Sequence, residues 1–267
     1  MTNPTLPTPL SGAPPTEVPL PHAPLIRVIA QIRFPRLLAI RSANNVSRLQ
    51  ETIRGKYPVL DEETVRNVVI GPAGAPTVKD DTIWRFHSKD RDWRVSLGDS
   101  FVALETKKYT SRADFHARLK VVLSAVEETF RPQEATRIGV RYIDRVEGDL
   151  VGRISELIKP NVLGISTEPL GEIAHHVWAQ SLFPTEEGAL IQARWGKLPP
   201  NESADPETIE PIDQPSWVLD IDMYSGDVRP FTADHLGSLA TKFSERTYTV
   251  FRWMITNEFL RVYGGAV

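Results

Sequence analysis

Three short blocks recur in the same order in the two halves of the chain. Gln31-Ile32-Arg33-Phe34 is echoed by Gly139-Val140-Arg141-Tyr142, each inside a segment that alternates apolar and polar residues as a half-buried strand does. Leu104-Glu105-Thr106-Lys107-Lys108-Tyr109 then aligns without a gap to Leu219-Asp220-Ile221-Asp222-Met223-Tyr224. An Ala-Asp pair follows each, Ala113-Asp114 and Ala233-Asp234, and opens a segment whose apolar residues recur with a helical period. Ordered repetition of this kind implies an internal duplication, and a duplication restricts the fold to two copies of one small unit.

Each half reads as strand, helix, three strands and long helix. In the first, a strand over 25–36 leads to a helix over 44–57, with Val46, Leu49, Ile53 and Tyr57 on one face and Pro58 closing it. Strands follow over 82–88, 93–98 and 101–109. A helix over 112–130 then aligns Phe115, Leu119, Val122, Val126 and Phe130, with Pro132 just beyond. In the second half, a strand over 136–146, a short helix over 152–159 and strands over 172–182, 189–197 and 217–224 precede a helical pattern over 232–262, long enough to be kinked or broken. The expected class is therefore α+β: duplicated β-α-β-β-β-α units forming a curved antiparallel sheet with helices on one face. That layout resembles the TATA-binding-protein-like and helix-grip architectures, and layout alone carries no activity. The organisation is an arm over 1–24, a first repeat over 25–132 and a second over 133–267.

The charge of the chain is segregated. Residues 1–24 hold eight of the 22 prolines and read as a disordered, polyproline-like arm. Residues 198–216 hold five acids, Glu202, Asp205, Glu207, Glu210 and Asp213, with five prolines and no Lys or Arg. Such a run reads as a solvated loop, with an acidic mimic of an anionic partner as the rarer alternative. With loop and arm set aside, the overall charge of −3 becomes about +3 for the body, too mild for a nucleic-acid binder recognised by bulk charge. No apolar run approaches the roughly 20 residues that span a bilayer, and the N-terminus lacks the basic and apolar regions of a signal peptide. The absence of cysteine excludes disulfides, thiolate nucleophiles and Cys-ligated metals. The expectation is a cytoplasmic protein without membrane contact.

Period-2 alternation assigns each strand residue to a side. Ile26, Val28, Ala30, Ile32 and Phe34 form the buried set of the first strand, leaving Arg27, Gln31 and Arg33 opposite. On its repeat, Ile138, Val140 and Tyr142 go inward and Arg137, Arg141 and Arg145 outward. Arg85, His87, Arg94 and Arg194 fall on the same outward side, with Asp220 and Asp222 on the last strand. A sheet face so rich in guanidinium suits an anionic or peptide ligand, because guanidinium grips carboxylate and phosphate with two parallel bonds. Cross-strand pairing of the same arginines with carboxylates is the competing structural explanation. Candidate ligand-binding residues are Arg27, Gln31, Arg33, Arg141, Arg145 and Arg194. Trp178 joins them as an exposed stacking platform.

Asp220 and Asp222 lie about 6 to 7 Å apart on one strand face, a spacing that can hold a divalent cation. They are the candidate metal ligands of an alternative reading with magnesium or manganese. His175 and His176, adjacent on an expected strand, point to opposite faces, and no His-x3-His spacing occurs. Gly71-Pro72-Ala73-Gly74-Ala75-Pro76 lacks the Lys-Ser/Thr of a phosphate loop, and no nucleophile elbow is present.

Gln31-Ile32-Arg33-Phe34, Gly139-Val140-Arg141-Tyr142-Ile143-Asp144-Arg145 and Leu219-Asp220-Ile221-Asp222-Met223-Tyr224 resemble the blocks of a sporadically distributed bacterial family of about this length. The likeness spans residues 24–262, and the Arg-Tyr-Ile-Asp-Arg block is its most specific part. No activity or catalytic residue comes with the resemblance, and the family's patchy distribution implies mobile genes such as phage-defence or toxin-antitoxin neighbourhoods. The leading expectation is a non-catalytic, cofactor-free binding protein that recognises a protein partner or anionic ligand on the arginine face. A divalent-metal-dependent phosphohydrolase or nuclease using Asp220 and Asp222, and a nucleic-acid-binding protein, are the alternatives.

Overall fold

A computed structural model describes residues 8–70, 76–185 and 188–266. A single helical turn, α1 (Thr8–Ser11), precedes strand β1 (Leu25–Arg33) and helix α2 (Ala43–Ile53). Strands β2 (Val59–Ile70), β3 (Pro76–His87), β4 (Trp93–Gly98) and β5 (Phe101–Thr106) lead to helix α3 (Arg112–Phe130). A two-residue strand β6 (Glu134–Ala135) comes before β7 (Arg137–Glu147), which is followed by the short helices α4 (Ile154–Leu157), α5 (Pro160–Leu163) and α6 (Pro169–Ile173). The chain ends with β8 (Val177–Pro184), β9 (Leu190–Leu198), β10 (Ser216–Ser225), β11 (Arg229–Pro230), α7 (Ala233–Met254) and α8 (Asn257–Val262). Nine strands form one antiparallel sheet in the order β2-β3-β4-β5-β1-β7-β10-β9-β8, with helices packed on it, while β6 and β11 pair separately. The fold is α+β.

Two compact units divide the chain, and both draw on its two halves: Ile29–Gly139 with Gly226–Thr241, and Met1–Val28 with Val140–Ser225 and Lys242–Val267. In the unit built around residues 29–139, the expected α3 stripe is buried against the strands: Phe115, Leu119, Val122 and Val126 share a core with Val95, Leu97, Val102 and Leu104. Burial of each such side chain stabilises by about 2 kcal/mol. The Ser111 hydroxyl caps α3 by accepting the Asp114 N–H at 3.1 Å, and Arg131, left-handed at φ 49°, ends it before Pro132. β2 was not expected as a strand. Its pairing with β3 runs from Val59↔His87 to Ile70↔Pro76, and the turn motif at 71–75 lies outside the described residues.

In the other unit the long C-terminal pattern breaks, as its length suggested. Ile255 leaves the helix to bridge Ile158, and the Thr256 hydroxyl donates to the Glu156 carbonyl at 2.6 Å while capping α8 through the Phe259 N–H. Two expectations are corrected here. Residues 8–24, read as a disordered arm, are strapped down. Leu10 is buried, the Arg246 guanidinium donates to the Gly12 carbonyl at 2.7 Å, and the Val18 N–H donates to the Tyr248 hydroxyl at 2.8 Å. A proline-rich extended chain makes no internal hydrogen bonds, so its backbone groups are open to partners on a neighbouring helix. The strand expected over 172–182 begins only at Val177. Ahead of it, Pro169 opens α6, and His175 and His176 fall in the connection.

No helix among the described residues is long and apolar enough to cross a membrane.

Candidate binding face

Arg27 on β1, Arg141 and Arg145 on β7 and Arg194 on β9 belong to one unit, and two of them, Arg141 and Arg194, meet at Asp220 on β10. Antiparallel register puts Asp220 directly opposite Arg194, whose Nη2 lies 2.5 Å from Asp220 Oδ2. Arg141 approaches the same carboxylate as a fork, Nε to Oδ1 at 2.8 Å and Nη2 to Oδ2 at 2.9 Å. Asp220 has no solvent exposure, and two guanidiniums surround it. Burial would lower the Arg141 pKa, but the hydrogen bonds and charges of Asp220 and Asp205 outweigh it and hold the guanidinium firmly protonated.

What covers these arginines is the acidic loop. Arg141 Nη2 also donates to Asp205 Oδ2 at 2.9 Å. Arg27, only 5% exposed, donates to the Glu207 carbonyl at 3.0 Å and to Glu210 Oε1 at 3.2 Å. Arg145 donates to the Glu210 carbonyl at 2.7 Å and to Glu147 Oε1 at 2.6 Å. Between these polar contacts Ile209 is inserted into an apolar socket of Ile143, Leu198 and Val218, with Ile26 and Trp178 packed against it. Burial would raise the Asp205 carboxyl, yet its hydrogen bonds and the charges of Arg141 and Arg194 hold it below the usual carboxylate range.

Most of 198–216 is exposed, as a solvated loop is, but Asp205 and Ile209 fold back onto the arginines, so the expectation of an open arginine face in this unit is corrected. One apolar residue amid acids, placed where a basic face has an aliphatic gap, gains both ion pairs and burial by folding back. Trp178 is likewise packed at the socket and half-buried, not a free platform. Sequence reasoning passed over Asp205, Ile209 and Glu210 as individual site residues. The signal was available in the run of five acids without a compensating cation, interrupted by Ile209 and Ile212.

The remaining candidates lie elsewhere. Gln31 and Arg33 belong to the other unit, where Arg33 Nε donates to Gln31 Oε1 at 3.2 Å. In that unit the arginines are matched across strands, Arg94 to Glu105 at 2.8 Å and Arg85 to Glu63 and Ser96, as the competing structural explanation anticipated. Asp222 is half-buried opposite Gln192. Both oxygens of Asp220 are engaged by guanidinium, and among the described residues no group of three or more His, Asp or Glu side chains is placed to hold a metal. One further group was not singled out from the sequence. Asp144 on β7 is 7% exposed, and burial first, then the charge of Asp220, pushes its pKa up to about 7.

No protein-family model matches the chain, and no curated protein is similar to it.

Proposed function

We propose that this protein is a non-catalytic binding protein whose recognition surface is the face formed by Arg27, Arg141, Arg145 and Arg194, and that its ligand is anionic. The observation that carries this reading is the acidic loop itself: the face already holds carboxylates and carbonyls in ligand-like fashion. Four guanidiniums meet four carboxylates there, Asp220, Glu147, Asp205 and Glu210, and the last two belong to the loop. Withdrawing the loop removes two of these four carboxylates from a partly apolar, arginine-bearing surface, a combination that favours an anionic partner. The engagement of Asp220 by two arginines favours binding over metal-dependent hydrolysis, since a cation would have to displace both. Titration calorimetry with magnesium or manganese is expected to give no binding heat.

The test removes the loop by replacing residues 200–214 with a short turn and titrates polyglutamate, inorganic polyphosphate and a short single-stranded oligonucleotide. Binding of at least one polyanion, lost in the additional R27Q/R145Q variant, is the expected result. Absence of binding to all three overturns the reading.

We also read the fold as duplicated. Outward from the central pair β1 and β7, the strands β5, β4 and β3 on one side answer to β10, β9 and β8 on the other, each set ending in a long helix, α3 or α7. β2 is then an addition to the first copy. The block resemblance to a patchily distributed bacterial family supports, on this reading, a phage-defence or toxin-antitoxin setting.

A further inference from the structure

The hairpin between β9 and β10 closes at the pair Leu198↔Ser216, where two to five residues would suffice for the turn, yet residues 199–215 intervene. Connections of that length without secondary structure are uncommon and usually functional. Resting on the anionic-ligand reading above, we infer that residues 203–210 occupy the site as a tethered pseudo-ligand, and that the true partner is an acidic polypeptide segment presenting an Asp, an Ile or similar aliphatic four residues on, and a Glu immediately after it.

Three features select a polypeptide. The first is the acceptor set. Arg27 and Arg145 bind the main-chain carbonyls of Glu207 and Glu210 as well as the Glu210 carboxylate, and alternating carbonyl and carboxylate acceptors are what an acidic peptide offers. A phosphate chain has no carbonyls. The second is the Ile209 socket, an aliphatic recess of Ile143, Leu198 and Val218 that a bare polyanion leaves empty. The third is the loop's own conformation. Ile209 N–H donates to the Asp205 carbonyl at 2.7 Å, Ser203 Oγ donates to the Ile209 carbonyl at 2.6 Å, and Asp205 N–H donates to Ser203 Oγ at 3.0 Å. These bonds close within residues 203–209, so a free peptide of the same pattern can form the same turn without the flanking strands.

The tether makes the loop a strong competitor, since a short linker holds a ligand at an effective concentration on the order of millimolar. The partner segment must therefore displace it. The outer carboxylate has only a light hold: the Glu210 side chain is 60% exposed. Displacement can begin at Glu210 and Arg27 and proceed inward to Asp205 and Arg141.

A fluorescein-labelled peptide of residues 201–213, Asn-Glu-Ser-Ala-Asp-Pro-Glu-Thr-Ile-Glu-Pro-Ile-Asp, is the probe. Its anisotropy is measured with the full chain, with the chain whose residues 200–214 are replaced by a short turn, and with full-length D205N/I209S/E210Q. The triple variant frees the face at constant chain length, so the test survives if the shortened chain does not fold. The peptide is expected to bind the two loop-impaired forms at least about tenfold more tightly than the full chain, as loss of a tethered competitor requires. A control peptide with Ser in place of the isoleucine at position 209 should bind at least about tenfold more weakly than the parent, by the usual worth of a buried aliphatic side chain. If inorganic polyphosphate binds the freed face as tightly as the peptide, the polypeptide inference falls and the anionic-ligand reading stands; if polyglutamate does, the aliphatic part of the inferred pattern falls. If neither binds a folded, freed face, both fall. Equal peptide affinity for freed and intact chains overturns the pseudo-ligand role.

Discussion

Arg141 and Glu210 show how differently two ion pairs in one site can contribute. Asp220 is fully buried between Arg141 and Arg194, so Arg141→Met leaves a buried carboxylate with one guanidinium in place of two, a change that costs about 2 to 4 kcal/mol. Glu210 is largely exposed where it meets Arg27, and Glu210→Gln should cost less than about 1 kcal/mol. Urea unfolding of the two variants checks the contrast; comparable losses would mean that Asp220 is not held as the geometry indicates. Asp144 adds a pH dependence. Its folded pKa, about 7, lies above its ordinary value of 3.8, so the folded state binds the proton more tightly than the unfolded chain. Its contribution is therefore most favourable below pH 3.8 and is lost as pH rises through about 7. Asp144→Asn should be more stable than wild type at pH 8, by up to about 4 kcal/mol at 1.36 kcal/mol per pKa unit, with the gain vanishing near pH 4. Thermal melts of both proteins across that range measure the difference directly. A constant difference would show that Asp144 does not titrate there.

At the scale of elements, what periodicity controls was legible and what tertiary pairing controls was not. α3 falls on Arg112–Phe130, because its apolar stripe, Ser111 cap and terminal Pro132 all act locally. The break between α7 and α8 was foreshadowed by length alone. β2 escaped notice because Asp61, Glu62 and Glu63 give it the composition of a loop. A strand at the end of a sheet tolerates and even favours such charges, which discourage pairing with other chains. The arginine alternation of β7 was legible too, but not the loop that lies on it, since contact between residues 27 and 210 depends on where a long hairpin folds back. Gly196 offers a test at this scale. Its φ is 153°, and a Cβ there would come within 1.8 Å of the Val177 carbonyl oxygen, on the strand pairing that places Trp178 opposite. Gly196→Ala should therefore force β8 away from β9, costing more than about 1 kcal/mol and accelerating amide exchange along β8. Unchanged exchange in β8 would mean that the two strands are not so closely apposed.

Over the whole molecule, the near-zero net charge conceals a separation of sign along the chain, an acidic loop against a mildly basic body, that the fold brings back together in one unit. Two forces hold that contact, and salt separates them. Raising ionic strength from about 0.1 M to about 1 M shortens the Debye length from about 10 Å to about 3 Å, which weakens the exposed Glu210–Arg27 pair but barely touches burial of Ile209. The Ile209 amide, bonded to the Asp205 carbonyl, reports on the loop's inner turn. In the wild type its hydrogen-exchange protection should change less than about threefold over that salt range, because the apolar anchor persists. In Ile209→Ser, with only charge left to hold the loop, protection of the same amide should fall steeply with salt. A steep fall in the wild type would make the loop a purely electrostatic lid, and an acidic partner of any sequence could then displace it.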